Sequence, residues 1–214
     1  GLLLSGTRAL ATLAPFADEM MVFPGPSPGQ HRQGDAAAYA VACCVPVATP
    51  GLKFLCRESL DFGRPVEDHP LASRFDEQDA VVVFEKVVVP WERVFLKGDG
   101  EHANALWRET QALPHGIHQF LVKNQGKAEF VLGVASLVAE GTGVDQHAHV
   151  QGMLGEVVDA IETLRAFIRA AEVDAVPGPG GTVVPNPDIL ETARNYFPVV
   201  YPRLIEIHQL MRAT

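Results

Sequence analysis

The chain has 214 residues, 47% of them hydrophobic, enough to bury one large core or two modest ones and too many for a disordered tail. Its 17 basic and 26 acidic side chains give a formal net charge of -9, a balance that disfavours nucleic acid and anionic membrane surfaces and leaves small molecules or proteins as partners. No run approaches the roughly 18 to 20 apolar residues of a membrane span, and Gly6 and Arg8 break the opening "GLLLSGTRALATLAPF" before a secretory segment forms, so a soluble protein is expected.

Up to about residue 100 the chain reads as short strands separated by turns. Apolar segments occur at "GLLLSGTRALAT", "DEMMVFP", "AAYAVACCVPV", "KFLCRESL", "AVVVFEKVVVP" and "VFL". "PGPSPGQHRQGD" and "ATPG" punctuate them, because proline removes a donor and glycine frees the backbone. Six such segments predict an antiparallel sheet system, either a sandwich or a barrel. Cys43, Cys44 and Cys56 are odd in number and set in apolar sequence, which reads as buried free thiols in a reducing cytoplasm, with no disulfide framework and no metal site.

Within this half, residues 80–84 and 87–89 are β-branched runs joined by Glu85-Lys86. That step fits either a hairpin or one strand carrying an exposed bulge, and Pro90 ends central pairing. Arg74, Asp76, Glu77 and Asp79 crowd the entry to it and read as a solvated charged face.

The composition changes at "KGDGEHAN", and three helices are predicted beyond it. The first covers 117–140 with Gly141 and Gly143 as its stop; the second covers 150–173 with an apolar stripe in steps of three and four. The third follows Asn186 as cap with Pro187 at its first position, and Pro198 and Pro202 are expected to kink or interrupt it. The stretch "AVPGPGGTVVPNP" reads as surface loop. Three amphipathic helices call for a fourth element to cover their remaining stripe. The chain opens at Gly1, and nothing closes the last helix after Arg212, which reads as a fragment.

Little in the chain announces chemistry directly. His115 and His118 share a helix face without a third ligand at matching spacing, and His147 and His149 sit in a connector, so all four read as ordinary surface or pocket-wall histidines. GxGxxG after a strand and GxxxxGK[ST] are both missing, and the prolines of "GPSPGQ" remove the amides that a phosphate cradle needs.

A resemblance adds what the residues alone do not. "HPLASRFDEQDAVVVFEKVVVPWERVF" resembles the signature of the oxygenase component of two-component 4-hydroxyphenylacetate 3-monooxygenases. "GLLLSGTRALATLAPFADEMMVFP", "HQFLVKNQGKAEFVLGVASLVAEGTG", "HVQGMLGEVV" and "ARNYFPVVYPRLIEI" extend the likeness in order. It implies an α+β, acyl-CoA-dehydrogenase-like fold, with residues 1–100 as an antiparallel β-barrel middle domain and 101–214 as part of a C-terminal helical bundle, assembled as a homotetramer.

The implied activity is ortho-hydroxylation of a phenol. Reduced FAD (FADH2) comes from a separate NAD(P)H-dependent flavin reductase and reacts with O2 to a flavin hydroperoxide, and the catalytic Arg, Tyr and His lie upstream of Gly1. Thr12 matches the family threonine that contacts the flavin. Gly25, Pro26 and Ser27 occupy the loop that holds the substrate carboxylate, and the lack of a hydroxyl at the first two points to a different or bulkier phenol. "PWERVF" is expected to be structural, with Trp91 packed at the barrel edge and Glu92 and Arg93 facing water or a neighbouring subunit.

Two relatives of that fold and an inactive scaffold are the alternatives. A 4-hydroxybutyryl-CoA dehydratase carries an iron-sulfur ligand cysteine seven residues after a helical histidine, and here that position after His118 is Gln125. An acyl-CoA dehydrogenase proper would hold oxidised FAD tightly and be reduced by an acyl-CoA.

Overall fold

The computed structural model describes residues 1–24 and 36–212, which form two compact units, Gly1–Leu106 and Trp107–Thr214. Gly25, Pro26 and Ser27 lie outside the described residues.

The first unit contains β1 (Leu2–Thr12), β2 (Glu19–Val22), a helical turn α1 (Ala36–Tyr39), β3 (Val41–Pro46), β4 (Leu52–Cys56), a second turn α2 (Ala72–Phe75), β5 (Asp79–Val89) and β6 (Val94–Lys97). Each of the six apolar segments supplies one strand. They form two antiparallel three-stranded sheets, ordered β1-β5-β4 and β2-β3-β6. Cys43 and Val45 from one sheet and Val82, Phe84, Val87 and Val89 from the other share one core, so the sheets pack face to face.

The expected closed barrel is therefore not formed among the described residues. Leu13 turns left-handed at φ 61°, and a 3-10 turn at Ala14–Phe16 carries the chain off the first sheet, so β2 pairs with β3 and not with β1. The β1 and β2 edges remain open to each other.

Glu85-Lys86 makes a bulge in one strand. β1 pairs Leu4 with Val87 and Gly6 with Phe84, so Ser5 alone opposes both residues, and Lys86 takes φ 55°. The extra residue switches the buried parity: Ala80, Val82 and Phe84 point inward before it, Val87 and Val89 after it. Both β-branched runs thus face one core. Gly51 makes the bulge reachable, with φ 87° and its carbonyl accepting the Glu85 N–H at 2.8 Å.

The cysteines are free, but only Cys43 is buried; Cys44 is half-buried and Cys56 exposed. Strand alternation places 43 inward, and burial pushes its thiol up to about 11. Cys44 faces the other way and Cys56 lies on exposed β4, so the buried reading fails for both.

The second unit begins within α3 (Gly100–Glu109), a helix that the sequence reading missed, and holds α4 (Ala112–Thr142), α5 (Ala148–Val173), the short paired strands β7 (Val176–Pro177) and β8 (Val183–Val184), and α6 (Pro187–Arg212). The predicted loop thus contains β7 and β8, tied down by buried Val184. Gly143 stops α4 at φ 73°, its N–H shared between the Ala139 and Glu140 carbonyls. Asn186 caps α6 by accepting the Asp188 and Ile189 N–H groups at 3.0 and 3.2 Å.

α6 continues through Pro198 and Pro202 instead of breaking there. Both prolines are exposed, so carbonyls that lose a partner face water, while Leu190, Phe197, Leu204, Ile207 and Met211 hold the other face in the core. α4, α5 and α6 share that core, where Ala128, Ala135, Ala160, Ala171 and Ala193 let the helices approach closely. Val122, Phe130 and Leu137 of α4 are exposed in this unit.

Candidate functional site

The end of β1 departs from regular strand geometry. Between Arg8 and Ala11 it carries Ala9 and Leu10 against Val81 alone on β5, a second bulge, with Leu10 at φ 58°. Leu13 at φ 61° and Gln78 at φ 44° place two more non-glycine residues in the left-handed region beside Thr12 and Asp79. Such backbone costs about 1 to 3 kcal/mol per residue, persists only where surroundings hold it, and clusters at functional sites. Here the Leu13 N–H reaches the Glu77 and Gln78 carbonyls at 3.1 and 3.3 Å, and the Gln78 side-chain amide donates to the Arg57 carbonyl.

Thr12 ends the strand with its hydroxyl donating to Asp79 Oδ1 at 2.6 Å. The other Asp79 oxygen lies 3.7 Å from Arg57 Nε, and the far side of the same guanidinium forks onto Asp76. Asp76 also accepts the Leu60 and Gln78 N–H groups at 3.1 and 3.2 Å. The Arg57 hydrogen bonds, followed by that of Leu60, hold the Asp76 carboxyl far below the usual carboxylate range, and Asp76 raises Arg57 in turn.

The charged segment before β5 is therefore not simply a solvated face. Asp76 is 14% exposed at its side chain and closes a network across the strand end. Its bond to the N–H two residues on is an Asx turn, a local pattern that the sequence reading did not use. Because its folded-state carboxyl sits below the unfolded value of about 3.9, its stabilisation is complete above that pH and disappears as pH falls through the folded value. Asp76→Asn is expected to lower the unfolding midpoint at neutral pH and to flatten its decline below about pH 4, read from thermal melts across that range.

Where β1 and β2 fail to pair, a cleft of about 360 Å³ opens, lined by Ala9, Ala11, Thr12, Ala14, Met20 and Phe84, among others. An adjoining recess of about 320 Å³ shares Arg8, Val22 and Phe84 with it. These volumes lie in the range of small-ligand sites. Arg8 donates to the Phe23 carbonyl at 2.9 Å, pinning the last described stretch before residues 25–27. Thr12 is exposed at this cleft, whose walls are mostly small and apolar.

Glu19 of β2 also lines the cleft, paired with Arg93 at 2.8 Å and accepting from the Cys44 thiol at 3.0 Å. The Cys44 bond, then Arg93, lowers Glu19; the same bond to Glu19 is the main cause that raises Cys44. Arg93 thus ties the turn before β6 to β2 and does not simply face water. Trp91, expected to pack at the barrel edge, is exposed, with Lys97 Nζ 5.3 Å from its ring centre.

The histidines gather no further ligands. His118 Nε2 lies 2.9 Å from Glu172 Oε1 and links α4 to α5, His115 is exposed, and the exposed His147 and His149 rings stack on each other. Among the described residues no group of three or more His, Cys, Asp or Glu is placed to hold a metal, and no helix is long and apolar enough to cross a membrane.

Arg8, Arg57 and Asp79 were not singled out as site residues by sequence. Thr12 and Asp79 meet only through the β1–β5 register, 67 positions apart.

Comparison with known proteins identifies the family. The chain is 43% identical over its whole length to the 4-hydroxyphenylacetate 3-monooxygenase oxygenase component of Geobacillus sp. (strain PA-9), and spans 43% of that protein. A crystal structure of the oxygenase component of 4-hydroxyphenylacetate 3-monooxygenase complexed with FAD and 4-hydroxyphenylacetate is 43% identical and superposes with a TM-score of 0.87, over 97% of this chain and 42% of that one. The fold extends to butyryl-CoA dehydrogenase from Megasphaera elsdenii at 18% identity, with a TM-score of 0.68 over 98% of this chain and 49% of that one, so the architecture is acyl-CoA-dehydrogenase-like. The family described as 4-hydroxyphenylacetate 3-hydroxylase N terminal matches residues 1–96, and its C-terminal counterpart matches residues 103–213. The chain belongs to the 4-hydroxyphenylacetate 3-hydroxylase family.

Proposed function

We propose that this chain supplies the flavin cradle of the oxygenase component of a two-component phenol monooxygenase, with residues 1–100 as its middle domain and 101–214 as part of its helical domain. The chain spans less than half the length of the relatives it matches, so the reading concerns the protein that contains it. The observation that carries it is the Thr12 hydroxyl at the β1/β2 cleft, flanked by Leu10 and Leu13 in left-handed backbone.

The residues present fit a flavin ring. Ala9, Ala11 and Ala14 leave room for a planar system, Val82 and Phe84 keep its surroundings apolar, and Thr12 offers a polar contact at one edge. Reduced FAD, delivered by an NAD(P)H-dependent flavin reductase, supplies with O2 the oxygen inserted ortho to a phenolic hydroxyl. The protein's part in that reaction is to bind, orient and exclude water, which the apolar walls do and a solvent-facing surface would not.

Arg8 sets the start of the segment holding Gly25, Pro26 and Ser27, which we assign to the phenol. A phenol other than 4-hydroxyphenylacetate suits a loop with a hydroxyl only at its third position.

Anaerobic titration with reduced FAD, followed by turnover with reductase, NADH, O2 and a panel of phenols, tests the assignment. Thr12→Val is expected to weaken reduced-FAD binding about fivefold, the worth of one hydrogen bond of about 1 kcal/mol. Peroxide release with no hydroxylated product from any phenol would overturn the activity.

A further inference from the structure

The Thr12–Asp79 pair determines which way the threonine hydroxyl points its proton. A threonine hydroxyl has one O–H to donate and two lone pairs to accept with. In this site the proton is committed: Asp79 Oδ1 receives it at 2.6 Å, within the roughly 2.5 to 2.7 Å typical of O–H donation to a carboxylate.

The carboxylate is held in place. Arg57 lies against its second oxygen, and the Arg57 backbone N–H donates to the Asp79 carbonyl at 3.2 Å. The guanidinium is itself forked onto Asp76, which the Leu60 and Gln78 amides hold. Leu10, Leu13 and Gln78, all in left-handed backbone, set the course of the main chain around the pair. Toward the cleft, Thr12 therefore presents lone pairs only.

Acceptor-only polarity is selective for a ligand that changes between acceptor and donor. The flavin ring does so at its central redox nitrogen, which is a bare acceptor when oxidised and an N–H when reduced. Resting on the flavin reading of the cleft, we propose that Asp79 is a positioning residue: it fixes Thr12 as a hydrogen-bond acceptor for that N–H, so that the site discriminates in favour of reduced FAD. An acceptor facing the oxidised nitrogen would leave two acceptors opposed, which disfavours that form. A protein that borrows its flavin reduced and releases it oxidised is served by this polarity.

Anaerobic titration of the protein with dithionite-reduced FAD, and aerobic titration with oxidised FAD, give the two Kd values whose ratio tests the proposal. The wild-type protein is expected to bind the reduced form at least tenfold more tightly. Asp79→Asn, isosteric but able to donate its amide to Thr12, frees the hydroxyl proton and is expected to cut that ratio by tenfold or more. For a two-electron couple, a tenfold change moves the potential of bound FAD by about 30 mV, a second readout that does not depend on turnover. Thr12→Ser should keep the preference and Thr12→Val should lose it, a pair that decides the matter should Asp79→Asn fail to fold.

A ratio near one in the wild-type protein, or a ratio unchanged by Asp79→Asn and by Thr12→Val, overturns the positioning role and leaves the flavin reading standing. Binding of neither redox form by the wild-type protein overturns both.

Discussion

Gly51→Ala is expected to destabilise the sheet unit by roughly 2 to 3 kcal/mol, measured as a drop in the urea midpoint. Two effects add at one position. Its φ of 87° strains any residue with a Cβ, and that Cβ would stand 2.4 Å from the Glu85 carbonyl oxygen, which is backbone and cannot rotate away. Relief requires moving the bulge, at the expense of the 2.8 Å Glu85 N–H to Gly51 bond. Gly63→Ala is the control: φ there is 66°, yet nothing lies within 4 Å of the new Cβ, so only the backbone cost of about 1 to 2 kcal/mol applies. Equal losses at the two positions would show that the contact with Glu85 contributes nothing. The functional consequence is specific, because the bulge sets the inward parity of Phe84, which lines the cleft.

Leu164→Ala is expected to cost roughly 2 to 5 kcal/mol in the helical unit, the range for emptying a fully buried leucine site. Leu164 is inaccessible on α5, and its neighbours in the core come from all three long helices. Many are alanines, already at close approach, so the bundle has little room to collapse around the missing side chain. Helix melting followed by circular dichroism reads the effect. A loss below 1 kcal/mol would mean that the helices re-pack freely.

Local chemistry accounts for much of what the sequence reveals. Proline and glycine punctuation delimited the six strands, three- and four-residue apolar steps delimited the long helices, and Asn186 with Pro187 marked the start of α6. These signals act over one turn or one strand, so neighbours along the chain suffice to read them. Where local signals stopped short, tertiary terms decided: burial of one face keeps α6 helical across two prolines, and Glu19 pairs with Arg93, which is only partly exposed.

The candidate site was legible in only one of its members. Thr12 was reached by resemblance, while Asp79 and Arg57 were visible only as charges in the chain. Their roles arise from register, since the β1–β5 ladder brings Thr12 opposite Asp79 and the β4–β5 ladder brings Cys56, just before Arg57, opposite Ala80. Register is set by two bulges and by which apolar residues reach the core, a property of paired strands that no single strand encodes alone.

The amino-acid sequence by itself determined the order of the six main strands and the three long helices, the antiparallel character of the sheets and the family. Each of these follows from periodicity, turn chemistry or a long ordered likeness. Tertiary structure alone decided that two sheets face each other across an open β1/β2 edge, and that Thr12 gives its proton to a carboxylate fixed by Arg57. The physical reason is distance along the chain: hydrogen-bond direction and cleft shape depend on groups tens of residues apart, which only folding brings within 3 to 4 Å of one another.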